Sequence, residues 1–397
     1  MRRRHDGEPR LELLGHRPSL DGLRALAFLG VFTDHAALVQ GGDPGAVAMF
    51  LFFSLSGFLI TSLIVRERWA TGRFSLWRFL ARRALRLLPA LLLFLVVWFL
   101  VVLAFGQQRW ITRVPGSVHG GSEPIGTALQ AIGAAAGYFL NWVEIFHLFG
   151  HYVPIAHLWS LSVEEQFYLV WAPLLAVLLA WRLRAVQVVA VLLAASSLIE
   201  LPLLYDGGRG ELRIYMGTDT RAAAFVLGGA LAVFWCRGGV RLLRRGMVGT
   251  AVAGVASAAL VWALTPLSET GALLAPSTGG ADFFARWIVS TLAAPLLVVA
   301  AASLETGLVR RLLSGRTLTY IGRRSYALYL WHYAWLTWMH SLGLLGVGVA
   351  LAASFLCAEF SWRLVESRAL SLKSKLAPAS DPLRRELVAA SRVSAPR

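Results

Sequence analysis

The sequence predicts an all-α polytopic membrane protein, a helical bundle of about ten transmembrane helices. Three observations predict it. Apolar residues make up 57% of the 397 residues, and the mean hydropathy is +0.62, well above a soluble domain. The apolar residues come in blocks near the ~20 residues that a helix needs to cross a bilayer. Between those blocks the arginines and lysines collect in alternate loops, as the positive-inside rule requires.

The runs in order are Leu20–Leu38, Ala46–Val65, Leu85–Phe105, Val163–Trp181, Val186–Leu204, Thr220–Cys236, Met247–Leu264, Trp287–Ser303, Tyr320–His340 and Leu344–Trp362. One set of loops holds Arg2, Arg3, Arg4, Arg10 and Arg17, then Arg66 to Arg86, Arg182 and Arg184, Arg237 to Arg245, Arg310 to Arg324 and the basic tail. The other set holds only Arg109, Arg113, Arg209, Arg213, Arg221 and Arg286. A wrong span count would scramble this alternation. The expected topology has both termini cytoplasmic and the bundle in the plasma (inner) membrane. No small-residue cleavage site follows the first run, so it reads as a retained span. The net charge of +16 lies between spans on one side, which argues for the lipid bilayer and against nucleic acid. Cys236 and Cys357 lie in apolar runs, with no disulfide framework and no metal-ligand spacing.

This divides the chain into a basic cytoplasmic N-tail (1–17), an integral-membrane domain (18–366) and a basic cytoplasmic C-tail (367–397). The C-tail is expected to be disordered or to lie on the anionic leaflet. The longest external connection runs from Gly106 to Ser162. Within it Thr127–Phe139 is small and apolar, and is expected to dip into the membrane or lie along it.

The first span carries Asp21, Arg24, Asp34 and His35. Ionisable groups within a span cost a few kcal/mol each by insertion, so they usually serve function. Arg24 and His35 fall within ~20° of one helix face and ~16 Å apart along the axis. His35 suits general-base work because an unperturbed imidazole titrates near neutrality. Covalent catalysis through the imidazole itself is the second option, and sequence does not separate the two. Asp34 is a candidate to assist it, although it points ~100° away on an ideal helix. Arg83 and Arg86, with Arg82 adjacent, form a cationic patch at the entry to the third span. Guanidinium forks suit phosphates, and an ordinary positive-inside loop is the competing reading. Glu164 and Glu165 open the fourth span. Ser162 and Glu165 fit a capping box, which makes Glu164 the better choice for chemistry. His332 lies among tyrosines deep in the ninth span, where packing competes with catalysis. Arg221, Glu165 and Trp159 are candidates to hold a substrate, with pairing to Asp219 the competing role for Arg221.

Six segments carry a resemblance to a known family: the first span, FLFFSLSGFLITSLIVRER, RFLARRALRLLPALL, AHLWSLSVEEQFYLVW, YMGTDTRAAAFVLGGALA and IGRRSYALYLWHYAWL. Together they resemble the acyltransferase 3 family of integral-membrane O-acyltransferases, over about Pro18 to Glu366. The family's Arg and His of the first span match Arg24 and His35, its RxxR motif matches Arg83 and Arg86, and its motif glutamate matches Glu164. The resemblance implies an acyl-CoA donor, expected to be acetyl-CoA, used as co-substrate with no permanently bound cofactor. It also implies a hydroxyl acceptor on a carbohydrate or glycosylated molecule. Some relatives carry a fused C-terminal hydrolase-like domain, which this chain reads as lacking, so a separate extracytoplasmic partner is one expectation. The competing function is a transporter whose buried Arg24, His35 and His332 bind an anion or carry protons.

Overall fold

The computed structural model describes residues 14–38, 43–105, 124–149, 153, 155–205, 211–244, 246–264 and 280–369. Among these residues there is no strand, and long helices dominate. The long helices are α1 (Pro18–His35), α2 (Pro44–Thr71), α3 (Leu76–Phe105), α6 (Trp159–Trp181), α7 (Leu183–Leu204), α9 (Thr218–Cys236), α11 (Gly246–Leu264), α12 (Gly280–Ser303), α14 (Arg316–Met339) and α15 (Gly343–Ser361). Shorter helices lie between them: α4 (Pro124–Ala136), α5 (Leu140–Ile145), α8 (Glu211–Met216), α10 (Arg241–Arg244) and α13 (Leu308–Leu313). Among the described residues, eight stretches are long and apolar enough to cross a membrane. The last of them, 316–369, holds both α14 and α15, which part at a turn over His340–Leu342. Adding α1, whose charges keep it out of that set, gives ten helices of spanning length.

Helix α2 is the axis of the bundle and packs on α1, α6, α9 and α12. Its crossing with α9 is close because Gly57 faces the Phe225 carbonyl, and a Cβ there would collide with it. Small residues allow such approaches where lipid offers no hydrophobic drive between helices. Gly322 of α14 meets the Asp21 carbonyl of α1 in the same way, which fixes the register of those two helices. Helices α7, α11 and α15 are peripheral and turn Val191, Leu192, Val255 and Leu356 outward.

One expectation changes. Helix α3 begins at Leu76, nine residues before the apolar run at Leu85, so Arg82, Arg83 and Arg86 lie inside a helix and not in a loop. Arginine is a good helix former, and its buried partners, described below, let the helix continue through charged residues. Thr127–Phe139 largely coincides with α4, whose Ala128, Ala131, Ala134 and Ala135 are buried. Helix α4 packs on α3, and α5 packs on α6 and α8. Most of the N-tail, the segment 106–123 and the C-tail beyond residue 369 lie outside the described residues.

Candidate functional site

Two polar clusters occupy the bundle, one near each end of α1. The end where α1 begins is called here the arginine-rich face, and the end where His35 lies the far face.

At the far face, His35 Nδ1 and His332 Nε2 are 2.8 Å apart. His332 Nδ1 lies 2.8 Å from the Tyr329 carbonyl oxygen. A carbonyl only accepts, so His332 Nδ1 carries a proton and donates it. In neutral His332, Nε2 is then an acceptor. His35 Nδ1–H donates to it, which leaves the lone pair of His35 on Nε2. The α1–α14 packing fixed by Gly322 therefore sets the tautomer of His35. His332 is fully buried, with Phe28 and Phe32 of α1 against its ring, while His35 is half-buried with Tyr333 edge-on at 5.0 Å. His35 opens onto a cavity of about 290 Å³ beside Tyr333, Leu336, Thr337, Leu344 and Val347.

A third histidine, His157, was not legible as a site residue. It lies in the short turn Ala156–Leu158 that enters α6, stacked on Tyr333 at 4.8 Å. Its Nδ1 is buried without a hydrogen-bond partner among the described residues. The Tyr329 hydroxyl donates to the His157 carbonyl, so the Ser160 hydroxyl, 2.7 Å away, donates to Tyr329. These bonds pin the start of α6 to α14. A histidine at the head of the Trp159–Tyr168 motif was the only signal in the sequence.

Asp34 turns away from His35. Its carboxylate lies against Gly45 at the start of α2, near Asp43, which caps that helix by accepting from Ala46 N at 2.6 Å. Burial pushes the Asp43 carboxyl above its ordinary range. Asp34 therefore does not orient the imidazole, as its ~100° offset on α1 implied.

Arg221 is not open to a substrate. It is fully enclosed, its Nε donates to the Tyr215 carbonyl at 2.7 Å, and its other two nitrogens have no oxygen partner among the described residues. Phe50, Tyr215 and Trp287 stand 4.3–4.6 Å from the guanidinium carbon, and Trp159 stands at 5.7 Å. The ring faces carry the cation. Trp159 is 6% exposed and spends its ring on that box, so it offers no stacking face to a sugar.

The second cluster joins residues that the sequence assigned to opposite faces. Arg83 Nε donates to Glu165 at 2.6 Å, and Arg83 lies 3.4 Å from Glu164. Its guanidinium covers the Tyr168 ring at 3.4 Å. Ser56 and Tyr168 both donate to Glu164. Arg82 is paired with buried Glu67. The expected capping box is absent: α6 starts at Trp159, and the Ser162 hydroxyl accepts from Leu140 N at 3.2 Å. The chain can place Glu164 deep because 124–149 and 155–158 fold inward as α4, α5 and a turn, so α6 begins within the bundle. Tyr168, one helical turn after Glu164, was findable from that spacing; Ser56 and Glu67 carried no signal.

Arg86 differs from its neighbours. It is exposed, and no acid lies within ion-pair distance among the described residues. The charges around it are Arg24, Arg83, Glu164 and Glu366. Arg24 has only Asp21 at 3.6 Å, and Asp21 is shared with His16 and Arg323. Arg24 and Arg86 thus form the cation-rich opening of this cluster. Among the described residues there is no group of acids, histidines and cysteines able to hold a metal ion.

The family profile described as an acyltransferase domain matches residues 17–361. An O-acetyltransferase OatA of Staphylococcus aureus is 31% identical over 377 residues, 88% of this chain and 56% of the relative. A peptidoglycan O-acetyltransferase OatA of Listeria monocytogenes is 30% identical over 373 residues, 88% of this chain and 55% of the relative. The chain therefore spans little more than half the length of the curated relatives it matches. No solved structure matches it significantly.

Proposed function

Because the chain belongs to the acyltransferase 3 family, we propose that it is an integral-membrane O-acyltransferase. It moves an acyl group, acetyl by analogy with its relatives' names, from acyl-CoA to a hydroxyl of a carbohydrate or glycosylated acceptor. The observation that carries this reading is the His35–His332 bond beside an open cavity. It leaves one imidazole nitrogen, His35 Nε2, free to accept a proton.

In the proposed reaction, Nε2 takes the proton of the acceptor hydroxyl. The oxygen attacks the thioester carbonyl, and the C–S bond breaks as the C–O bond forms. The proton then passes from the imidazolium to the leaving thiolate. While His35 is protonated, His332 Nε2 continues to accept from Nδ1–H and stabilises the cation. Arg24 and Arg86 receive the donor's phosphates, because charge-assisted forks suit them. Arg82 and Arg83 are engaged by Glu67 and by Glu164 and Glu165, so they position α3 and α6 and do not bind donor. Some 16 Å of α1 separates Arg24 from His35, a gap that the extended arm of CoA crosses. The arginine-rich face is cytoplasmic in this reading, with both termini there and the bundle in the plasma membrane. The His35 cavity then opens outside.

The test is a reconstituted protein supplied with acetyl-CoA and a sugar acceptor. Acceptor-dependent release of free CoA, with an acylated product, is expected. A transporter without covalent chemistry gives neither, and that outcome ends the acyltransferase reading.

A further inference from the structure

The cavity at His35 carries information about the acceptor. Resting on the reading above, we propose that the acceptor is an amphiphile: a single hydroxyl-bearing sugar unit joined to an apolar group. Three observations converge. The first is size. At about 290 Å³ the cavity sits at the low end of ligand pockets, roughly 300–1,000 Å³, which suits one ring-sized group and not a segment of polymer. The second is its mixed lining. His35, Tyr333, Thr337 and His340 bring polar groups to it, while Leu336, Leu344 and Val347 bring apolar ones.

The third is its place in the fold. These apolar residues stand where α14 ends and α15 begins, and α15 is an edge helix that packs chiefly on α14. At that turn Leu342, Leu344 and Leu345 are 50%, 80% and 71% exposed. Three exposed leucines suit the lipid boundary and not a water-facing loop. The mouth therefore opens beside the outer edge of the bilayer. The sugar meets His35 Nε2, and its apolar carrier lies along Leu344 and Val347. Such a molecule is either a membrane-resident glycolipid or a small soluble glycoside with an apolar aglycone.

The experiment uses the full chain in nanodiscs with acetyl-CoA. The acceptors are methyl glucoside, hexyl glucoside below its micelle concentration, dextran, and a glucosyl diacylglycerol in the nanodisc. Hexyl glucoside is expected to exceed methyl glucoside in kcat/KM by roughly tenfold or more, as burial of two or more methylene groups brings. Dextran is expected to be inert. Use of the glucosyl diacylglycerol marks a membrane-resident acceptor, and hexyl glucoside alone marks a soluble amphiphile; both support the proposal. Leu344→Gln should narrow the hexyl-to-methyl ratio. Equal use of methyl and hexyl glucoside, or preference for dextran, overturns it.

A second arm reads the cavity without turnover. Diethyl pyrocarbonate modifies accessible imidazoles, and peptide mass spectrometry separates His35 from His340. Without acetyl-CoA, hexyl glucoside should protect His35 at a concentration roughly tenfold below methyl glucoside. Protection with no release of CoA by any acceptor sinks the acyltransferase reading and keeps the amphiphile site. Release of CoA with no difference in protection does the reverse.

Discussion

The two ends of α1 are both polar and both embedded, yet they are built on opposite principles. Around Arg83 nearly every charge is answered: Glu165 and Glu164 take Arg83, Glu67 takes Arg82, and Ser56 and Tyr168 complete Glu164. Around His35 the polar chain stops one atom short. Tyr329 fixes His332, His332 fixes His35, and among the described residues His35 Nε2 has no partner while His35 lines a cavity. A saturated network holds helices in place, because breaking it strands a buried charge. A network with a spare lone pair can do chemistry. Arg86, exposed beside the saturated cluster, is the corresponding spare group at the arginine-rich face.

Substitutions that respect this contrast should separate activity from stability. The largest effect is expected at His35. His35→Gln keeps a hydrogen-bonding side chain but cannot accept a proton at neutral pH, so transfer should fall ~10²–10⁴-fold with the protein still folded. Turnover assayed beside thermal stability checks this, and near-normal transfer would return His35 to a packing role. His332→Phe fills the same space without an acceptor. It should cost kcat roughly 10²-fold or more by freeing the His35 tautomer, with little change in the KM for acyl-CoA. A rise in KM alone would mean that His332 contacts donor.

The saturated cluster should behave differently at its two neighbouring arginines. Arg83→Ala leaves buried carboxylates unpaired and should destabilise the protein by about 3–5 kcal/mol. Arg86→Ala should leave stability nearly unchanged and raise the KM for acyl-CoA roughly ten- to a hundredfold, as loss of a charged hydrogen bond does. Melting curves and donor titrations of both variants read the difference. The reverse pattern would exchange the roles assigned to them.

How much of this was readable in the sequence differs between the clusters. The His35–Arg24 relation lies within one helix, so 3.6-residue periodicity exposed it, and the up-and-down bundle followed from apolar blocks and arginine placement. The Arg83–Glu165 bond joins residues 82 apart in sequence. It depends on α4 and α5 folding inward, which no local pattern in 124–158 announces. The apolar run at Leu85 also hid the true start of α3, because buried acids on other helices let arginines enter it. Asp34 and Arg221 had suitable residue types at suitable depths, but their directions depend on neighbours: α2 takes the first, and an aromatic box seals the second.

The smallest effect concerns the segment that makes the inward fold. Burial raises the Glu144 carboxyl to about 7, and this group lies in α5, outside the spanning helices. Its Oε1 accepts from Val153 N at 3.1 Å. Its folded pKa lies above the unfolded value of ~4.3. The folded state therefore binds the extra proton between those values, and the contribution is full below ~4.3. Stability should fall as pH rises through about 7 and level off above it. The melting temperature in detergent should drop modestly from pH 5 to 8, and Glu144→Gln should flatten that slope. An unchanged slope in the variant would assign the pH dependence to another group.

If His332 holds the His35 tautomer, Nε2 of His35 is unprotonated in the resting protein. Nitrogen-15 NMR of ring-labelled histidine, assigned with His35→Gln and His332→Phe, reads this directly at neutral pH. His35 is expected to carry its proton on Nδ1 with a bare Nε2, and to lose this preference in His332→Phe. A His35 protonated on Nε2 in the wild-type protein, with Nδ1 bare, would contradict it.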